Sequence, residues 1–180
     1  MTASGAALLV IDMQVDVVEH AHDLDAVVAN INSLIAKARD AGAPVIWVQH
    51  ADEDLPKDTP GWQYIPDLVR LDDEPLVHKY YRSSFDDTDL EAILREHDVG
   101  HVIVTGAQTE FCVRNTLHGA LAHGFDATLV TDAHTTDDLR PHSPAAPGDV
   151  IAHTNLTWRG TSRPGAAGHA TPASEIEFSA

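Results

Sequence analysis

The sequence predicts a three-layer α/β/α fold, in which helices cover both faces of a doubly wound, mostly parallel sheet. Apolar runs typical of buried strands alternate along the chain with segments of helical periodicity, which is the pattern of parallel βαβ units. No internal repeat and no linker divides the 180 residues, a length that suits one domain. These observations predict a single domain.

Three strands and two helices are predicted in the first half of the chain. ALLVID at 7–12 and PVIWVQ at 44–49 are continuous apolar runs, as expected of strands buried on both faces. PLVHK at 75–79 is a shorter third strand. Apolar residues recur at helical spacing over 24–41, and DTDLEAILREH at 87–97 adds an N-terminus with capping residues.

The second half continues the alternation of strand and helix. HVIVTG at 101–106 and DATLVTDA at 126–133 predict the fourth and fifth strands, with one helix between them over 109–123. A further helix is predicted over 149–158, after a proline-rich loop. Right-handed crossovers then favour a Rossmann-like strand order, 3-2-1-4-5-6.

The domain is expected to occupy residues 1–160, and residues 161–180 form a C-terminal tail. The stretch RGTSRPGAAGHATPA is of low complexity and is expected to be mobile. SEIEF at 174–178 is the candidate for a short last strand in this tail.

Composition narrows the class of partner. The chain has 28 acidic and 11 basic residues, a net charge of −17, which argues against nucleic acid and anionic membranes as partners. No apolar run approaches the roughly 20 residues that cross a bilayer, and the first residues lack the pattern of a signal peptide. A lone cysteine cannot form an internal disulfide. These features predict a cytoplasmic protein.

Three reactive side chains stand at or just beyond predicted strand ends. Asp12 ends the first strand, Lys79 ends the third, and Cys112 follows the fourth at the start of a helix. In open parallel sheets, ligands bind beyond the carboxyl ends of the strands where the strand order reverses, here between the first and fourth strands. We therefore expect the acid, the amine and the thiol to converge in one crevice.

These residue types suit nucleophilic catalysis. A cysteine attacks as its thiolate, which a lysine ammonium and the N–H groups of a helix N-terminus both stabilise. A carboxylate can take the thiol proton and return it to a leaving group. Each residue also has a simpler interpretation, since a lone cysteine is most often a small buried hydrophobic residue. The joint placement at strand ends favours an active site.

Three segments carry a resemblance to a known family. LLVIDMQ, HKYYRSSF and TGAQTEFCVRNTLHGALAHGFDATLVTDAHTT resemble the signature segments of the isochorismatase-like cysteine hydrolases, and the likeness spans about residues 6–158. The resemblance implies a catalytic triad of Asp12, Lys79 and Cys112, the same residues that the strand ends indicate. It implies no cofactor, and a homo-oligomer of two or more chains.

The family resemblance also implies an oxyanion hole. It places a cis peptide between Ala107 and Gln108, which would direct the backbone N–H of Gln108 toward the site beside the N–H of Cys112. Two such donors would stabilise the oxyanion that forms when a thiolate attacks a carbonyl carbon.

Two departures from family patterns bear on the reaction. Nicotinamidases typically carry a metal-binding D-x-H after the second strand, where this chain has QHADEDL; His50 and Asp52 alone are a thin ligand set, so no metal is expected. Enzymes that cleave the vinyl ether of isochorismate resemble this fold but lack the nucleophilic cysteine. The resemblance is greatest to a branch of general cysteine hydrolases similar to streptothricin hydrolases.

These comparisons of pattern favour a metal-independent amidohydrolase, which cleaves a small amide, lactam or carbamoyl C–N bond through a thioester acyl-enzyme. Three alternatives stay open from the sequence: an isochorismatase-type ether hydrolase, a nicotinamidase, and a small-molecule-binding or redox thiol module without turnover. The residues expected to line the substrate pocket lie on loops that follow the first three strands: Gln14, Gln49, His50, Trp62, Tyr81 and Phe85.

Overall fold

Seven strands form the central sheet in the computed structural model, which describes residues 5–178 of the chain. The strands are β1 (Gly5–Ile11), β2 (Val45–His50), β3 (Leu76–Lys79), β4 (Val99–Ala107), β5 (Asp126–Thr135), β6 (Ser162–Arg163) and β7 (Ala166–Thr171). Their order in the sheet is β3-β2-β1-β4-β5-β7-β6, and every pairing is parallel except that of β6 with β7. The predicted fold class is confirmed, with β7 in the sixth place.

Five α-helices are found among the described residues. They are α1 (Val15–Val18), α2 (Leu24–Asp40), α3 (Leu90–Glu96), α4 (Arg114–Ala122) and α5 (Pro147–Trp158). A π-helical turn, Thr109–Val113, precedes α4, so the segment predicted as one helix contains two kinds of helical turn. No helix in the described part of the chain is long and apolar enough to cross a membrane.

The core consists of two apolar layers, one on each face of the sheet. Alternate residues of β1 enter opposite layers: Leu8 packs on the α2 side, whereas Leu9 packs on the side of α3 and α4. Both residues are fully buried, as predicted for a strand covered on both faces. The central strands therefore hold the carboxyl edge of the sheet in a fixed position.

The end of the chain differs from the prediction. SEIEF was a candidate strand, but a 3₁₀ turn covers Ala173–Glu175, and the strand forms earlier as β7. β7 succeeds there because its residues are small: a Cβ on Gly168 would lie 2.9 Å from the ring of Trp158. The Lys37 ammonium also donates hydrogen bonds to the carbonyls of Ala173 and Ile176, at 3.2 and 2.9 Å. This segment is therefore part of the fold.

Two strand registers bring the site together. β4 lies beside β1 with Ile11 opposite Gly106, and β3 lies beside β2 with His50 opposite Lys79. Gly106 has a φ of 112°, and a Cβ there would lie 2.0 Å from the carbonyl oxygen of Ile11. Because glycine has no Cβ, the end of β4 can approach the end of β1 this closely.

Candidate active site

Asp12 follows the last residue of β1 and turns into the crevice. Its φ is 50°, a left-handed conformation that aspartate tolerates better than most residues, and its N–H donates to the carbonyl of Val48 at 2.9 Å. The side chain is 1% exposed, and Oδ2 lies 2.7 Å from the Nζ atom of Lys79. A carboxylate so deeply buried requires a partner of opposite charge, which Lys79 provides.

Lys79 occupies the centre of the site and is fully buried. Besides Asp12, its Nζ contacts the Cys112 sulfur at 3.2 Å, Nδ1 of His50 at 3.3 Å and the Tyr81 carbonyl oxygen at 3.3 Å. Burial lowers the pKa of Lys79, but its interactions with Asp12 and Cys112, led by the charge of Asp12, more than offset this, and its pKa is raised overall. The ammonium therefore stays charged between the acid and the thiol.

Cys112 lies within the π-helical turn, and its side chain is half-buried. The sequence predicts that Lys79 and a helix N-terminus stabilise the thiolate form of Cys112. Burial first and the charge of Asp12 second raise the pKa of Cys112 to about 12, against the opposing effect of Lys79. Lys79 does lower the pKa as expected, but burial disfavours the anion more than a single ammonium favours it. The resting side chain is a neutral thiol.

The peptide bond between Ala107 and Gln108 is cis, as the family resemblance implies. Among the described residues, nothing accepts a hydrogen bond from the backbone N–H of Gln108. Its side-chain Nε2 donates to the carbonyl of Val17 at 3.2 Å and to Oδ2 of Asp137 at 2.8 Å. These two bonds fix the side chain of Gln108 beside the π-helical turn that contains Cys112. The backbone N–H of Gln108 stays available.

His50 ends β2 and points one ring nitrogen at Lys79. The other nitrogen, Nε2, lies 3.0 Å from Oδ2 of Asp52. Residues 5–178 contain no group of three or more His, Cys, Asp or Glu side chains that could hold a metal ion. His50 contacts both Lys79 and Asp52, and so links the two residues.

Comparison with known proteins identifies the family. A model of the isochorismatase domain matches residues 6–146. The chain belongs to the isochorismatase family. Streptothricin hydrolase from Streptomyces noursei is 37% identical over 149 residues, which cover 79% of this chain and 57% of that protein. An uncharacterized isochorismatase family protein from Bacillus subtilis is 30% identical over 154 residues, covering 81% of this chain and 86% of that protein.

A solved structure shows the same fold. The crystal structure of an isochorismatase from Pseudomonas putida has a TM-score of 0.85 at 27% identity, covering 98% of this chain and 92% of that one. The predicted family and its hydrolase class are thus confirmed. Because the chain spans only 57% of the length of the streptothricin hydrolase, the activity of that whole protein does not transfer directly.

In this isochorismatase-family chain, two predicted pocket residues, Gln14 and Gln49, form hydrogen bonds that position a loop beside the site. Gln14 is fully buried; its Nε2 donates to the carbonyls of His50 and Trp62 at 2.9 and 2.8 Å, and its Oε1 accepts from the His50 N–H at 2.8 Å. Gln49 also donates to the Trp62 carbonyl, at 2.9 Å. The amide groups of Gln14 and Gln49 fix the loop that carries Trp62. Contact of either residue with substrate stays a prediction.

The three predicted aromatic pocket residues have different surroundings. Trp62 is 8% exposed and stacks on His78 with ring centroids 5.5 Å apart. The Tyr81 side chain is 57% exposed, and only its carbonyl contacts Lys79. The Phe85 ring packs in the core, 5.0 Å from the ring of His123 at the end of α4, and these contacts do not support its predicted place in the substrate pocket. Contacts of Trp62 and Tyr81 with a substrate stay predictions.

His134 is a structural residue of the site that sequence reasoning missed. It is buried, its Nδ1 lies 2.8 Å from the Thr109 hydroxyl, and its Nε2 lies 3.0 Å from Oδ1 of Asn155. Burial lowers the pKa of His134, so the ring is neutral and can accept from Thr109 while it donates to Asn155. These two hydrogen bonds connect Thr109, the first residue of the π-helical turn, to α5. The DAHTT sequence gives no indication that His134 contacts Asn155.

Unpaired polar groups collect at the same edge of the sheet. Besides Asp12, whose Oδ2 forms the ion pair with Lys79, five residues on loops or turns have a buried side-chain N or O atom with no hydrogen-bond partner among the described residues: Trp62, Tyr64, Glu110, Thr136 and Asp137. Buried polar atoms normally find a partner, so a polar ligand or water is expected there. The unpaired atoms at the carboxyl edge of the sheet can therefore form hydrogen bonds with such a molecule.

Proposed function

We propose that this chain is a cysteine amidohydrolase that uses no metal ion and cleaves a C–N bond in a small amide, lactam or carbamoyl compound. The observation that carries the proposal is the position of the Lys79 ammonium, 2.7 Å from Oδ2 of Asp12 and 3.2 Å from the sulfur of Cys112. The carboxylate that exchanges protons, the cation that stabilises charge and the nucleophile therefore lie together. The Streptomyces relative is named a streptothricin hydrolase, which supports a hydrolytic reaction.

The first half-reaction forms a thioester. Asp12 takes the proton of Cys112 as the sulfur attacks the carbonyl carbon, which explains how a thiol of raised pKa becomes a nucleophile. Lys79 stabilises the charge that develops on sulfur, and the backbone N–H groups of Gln108 and Cys112 hold the oxyanion. The C–N bond then breaks as Asp12 returns the proton to the departing nitrogen, which leaves as ammonia or an amine.

The second half-reaction releases the acid. Asp12 removes a proton from water, whose oxygen attacks the thioester carbon, and the same two N–H groups hold the second oxyanion. The C–S bond breaks, the sulfur takes the proton from Asp12, and a carboxylic acid leaves. One water is consumed for each C–N bond that is cleaved.

The organisation of the working enzyme is part of the proposal. We expect a cytoplasmic homo-oligomer of two or more chains, because the lone cysteine suits a reducing compartment and the family resemblance implies an oligomer. Light scattering on the purified protein measures the oligomer, and a monomer at all concentrations would contradict it.

A substrate panel tests the reaction. Wild type, Cys112→Ala and Cys112→Ser are incubated with primary amides, lactams, carbamoyl compounds, nicotinamide and isochorismate, and released ammonia, amine or carboxylate is measured. We expect turnover of a C–N substrate in wild type and a loss of at least about a thousandfold in both variants. Circular dichroism shows whether the variants are folded. Turnover of isochorismate alone, or turnover that survives in Cys112→Ala, would overturn the assignment.

A further inference from the structure

We propose that His50 and Asp52 form a positioning pair that directs the ammonium of Lys79 toward Asp12 and Cys112. The proposal rests on the proposed function and adds to it a specific task for two residues outside the triad. Neither residue touches the reacting atoms in this arrangement; both act through Lys79.

The tautomer of His50 follows from its neighbours. An ammonium only donates hydrogen bonds, so the Nδ1 atom of His50, 3.3 Å from the Nζ atom of Lys79, must accept. A carboxylate only accepts, so Nε2, 3.0 Å from Oδ2 of Asp52, must carry the proton. The imidazole is therefore neutral, with its proton toward Asp52 and its lone pair toward Lys79.

Asp52 is itself fixed. Its Oδ1 accepts the backbone N–H groups of Asp54 and Leu55, at 3.0 and 2.8 Å, which leaves Oδ2 for His50. Chiefly the hydrogen bond from His50, together with these backbone bonds, lowers the pKa of Asp52, so the carboxylate is ionised. The turn that follows β2 thus presents one acceptor oxygen to the imidazole.

His50 is held from the backbone side as well. Its N–H and its carbonyl both pair with the side-chain amide of Gln14, at 2.8 and 2.9 Å, and it lies opposite Lys79 in the sheet. A side chain at the end of a strand, with the backbone on either side fixed, has little freedom to swing. The ring can therefore serve as a fixed reference for a flexible lysine.

The lysine needs such a reference because it has more acceptors than protons. An ammonium has three N–H groups, and four acceptors lie within 3.3 Å of Nζ. The three protons are therefore shared among Asp12, Cys112, His50 and the Tyr81 carbonyl, and an accepting His50 ring takes part in setting where they point. Without the imidazole lone pair, the ammonium can rotate or move away from the thiol, which weakens its stabilisation of charge on sulfur.

The substitution Asp52→Asn tests the tautomer directly. The amide oxygen of the new side chain will stay with the two backbone N–H groups, so its NH₂ group will face His50. Nε2 must then accept, the imidazole proton moves to Nδ1, and a donor faces the ammonium of Lys79. Glu53→Gln is the matched control, because Glu53 is the exposed acid next in sequence and loses the same charge.

Two readouts separate positioning from general damage. Nitrogen NMR of the His50 ring should show the proton on Nε2 in wild type and in Glu53→Gln, and on Nδ1 in Asp52→Asn. Acylation of Cys112 by a nitrophenyl acetate ester should slow about tenfold in Asp52→Asn at saturating ester, with the half-saturation concentration within about threefold of wild type. Glu53→Gln should acylate at the wild-type rate.

Variants of His50 complete the test. His50→Leu removes the acceptor and should slow acylation about tenfold, whereas His50→Asn places an amide oxygen where Nδ1 was and should restore most of the rate. The double variant His50→Leu/Asp52→Asn should be no slower than His50→Leu, since Asp52 acts only through the ring. A wild-type proton on Nδ1, an unchanged rate in Asp52→Asn, or no rescue by asparagine would overturn the proposal.

The outcomes distinguish this inference from the proposed function. Failure of wild type to acylate, or acylation that persists in Cys112→Ala, counts against Cys112 as the nucleophile, whereas the NMR tautomer still reports on the pair. Acylation that depends on Cys112 but not on Asp52 keeps the proposed function and rejects the positioning pair.

Discussion

Asp12 has two opposed effects on Cys112, and one substitution separates them. Its charge helps raise the pKa of the thiol to about 12, yet it is the proposed acceptor of the thiol proton. In Asp12→Asn the charge that raises the pKa is gone while Lys79 remains. We therefore predict that the pKa of Cys112 falls, so that ultraviolet absorbance of the thiolate appears at lower pH than in wild type, while hydrolysis is lost. Thiolate absorbance confined to the wild-type pH range would contradict this account.

The buried ion pair of Lys79 with Asp12 leads to a prediction about the free energy of unfolding. In Lys79→Met the carboxylate of Asp12 stays buried without its partner, which should lower the free energy of unfolding by about 3–5 kcal/mol. Urea denaturation at neutral pH measures the loss. The double variant Asp12→Leu/Lys79→Met removes both charges and should recover most of the stability. Equal stability of wild type and Lys79→Met would show that the ion pair contributes nothing to the fold.

The individual site residues were predictable to different degrees. Asp12, Lys79 and Cys112 stand at or just beyond strand ends, and the parallel strand order brings those ends to one edge of the sheet. The path of a loop has no such rule: Phe85 lies six residues beyond Lys79, yet it turns into the core beneath α4. The pKa of Cys112 could not be predicted either, because it depends on burial and on the distances between charges.

At the scale of elements, Gly106 controls how closely β4 approaches β1. Gly106→Ala would place a Cβ 2.0 Å from a backbone oxygen of Ile11 and would strain a residue whose φ is 112°. We predict a loss of more than about 3 kcal/mol in the free energy of unfolding, or no folded protein. Gly42→Ala is the control: its φ is 69°, but nothing lies within 4 Å of its Cβ, so the cost should be about 1 kcal/mol. Thermal unfolding compares them; equal losses would contradict the argument.

Element prediction succeeded where apolar side chains mark the pattern. β1, β2 and β4 are runs of large apolar residues, and their burial on both faces follows from the sequence. β7 is not predicted from the sequence, because AAGHAT has little apolar area of its own. The strand forms where it does because β5 and Trp158 lie beside it. The π-helical turn around Cys112 has no sequence signal comparable to a proline or a capping residue.

For the whole molecule, the structure predicts that a chain ending at residue 160 will not fold stably. Such a chain lacks β7, which pairs with β5, and it lacks the buried residues Ala166 and Ile176. The edge of β5 and part of both apolar layers would be exposed. We expect aggregation or a clearly lower melting temperature by calorimetry than for residues 1–180. A stable product of residues 1–160 would support the domain boundary that the sequence suggests.

The protonated state of Cys112 affects how fast oxidants can react with its sulfur. Peroxide attacks a thiolate far faster than a thiol, and a pKa of about 12 leaves almost no thiolate between turnovers. The sulfur is therefore expected to resist conversion to sulfenic acid while the site is idle, although no second cysteine is present to rescue it as a disulfide. The raised pKa of Cys112 thus predicts slow reaction of the idle site with peroxide.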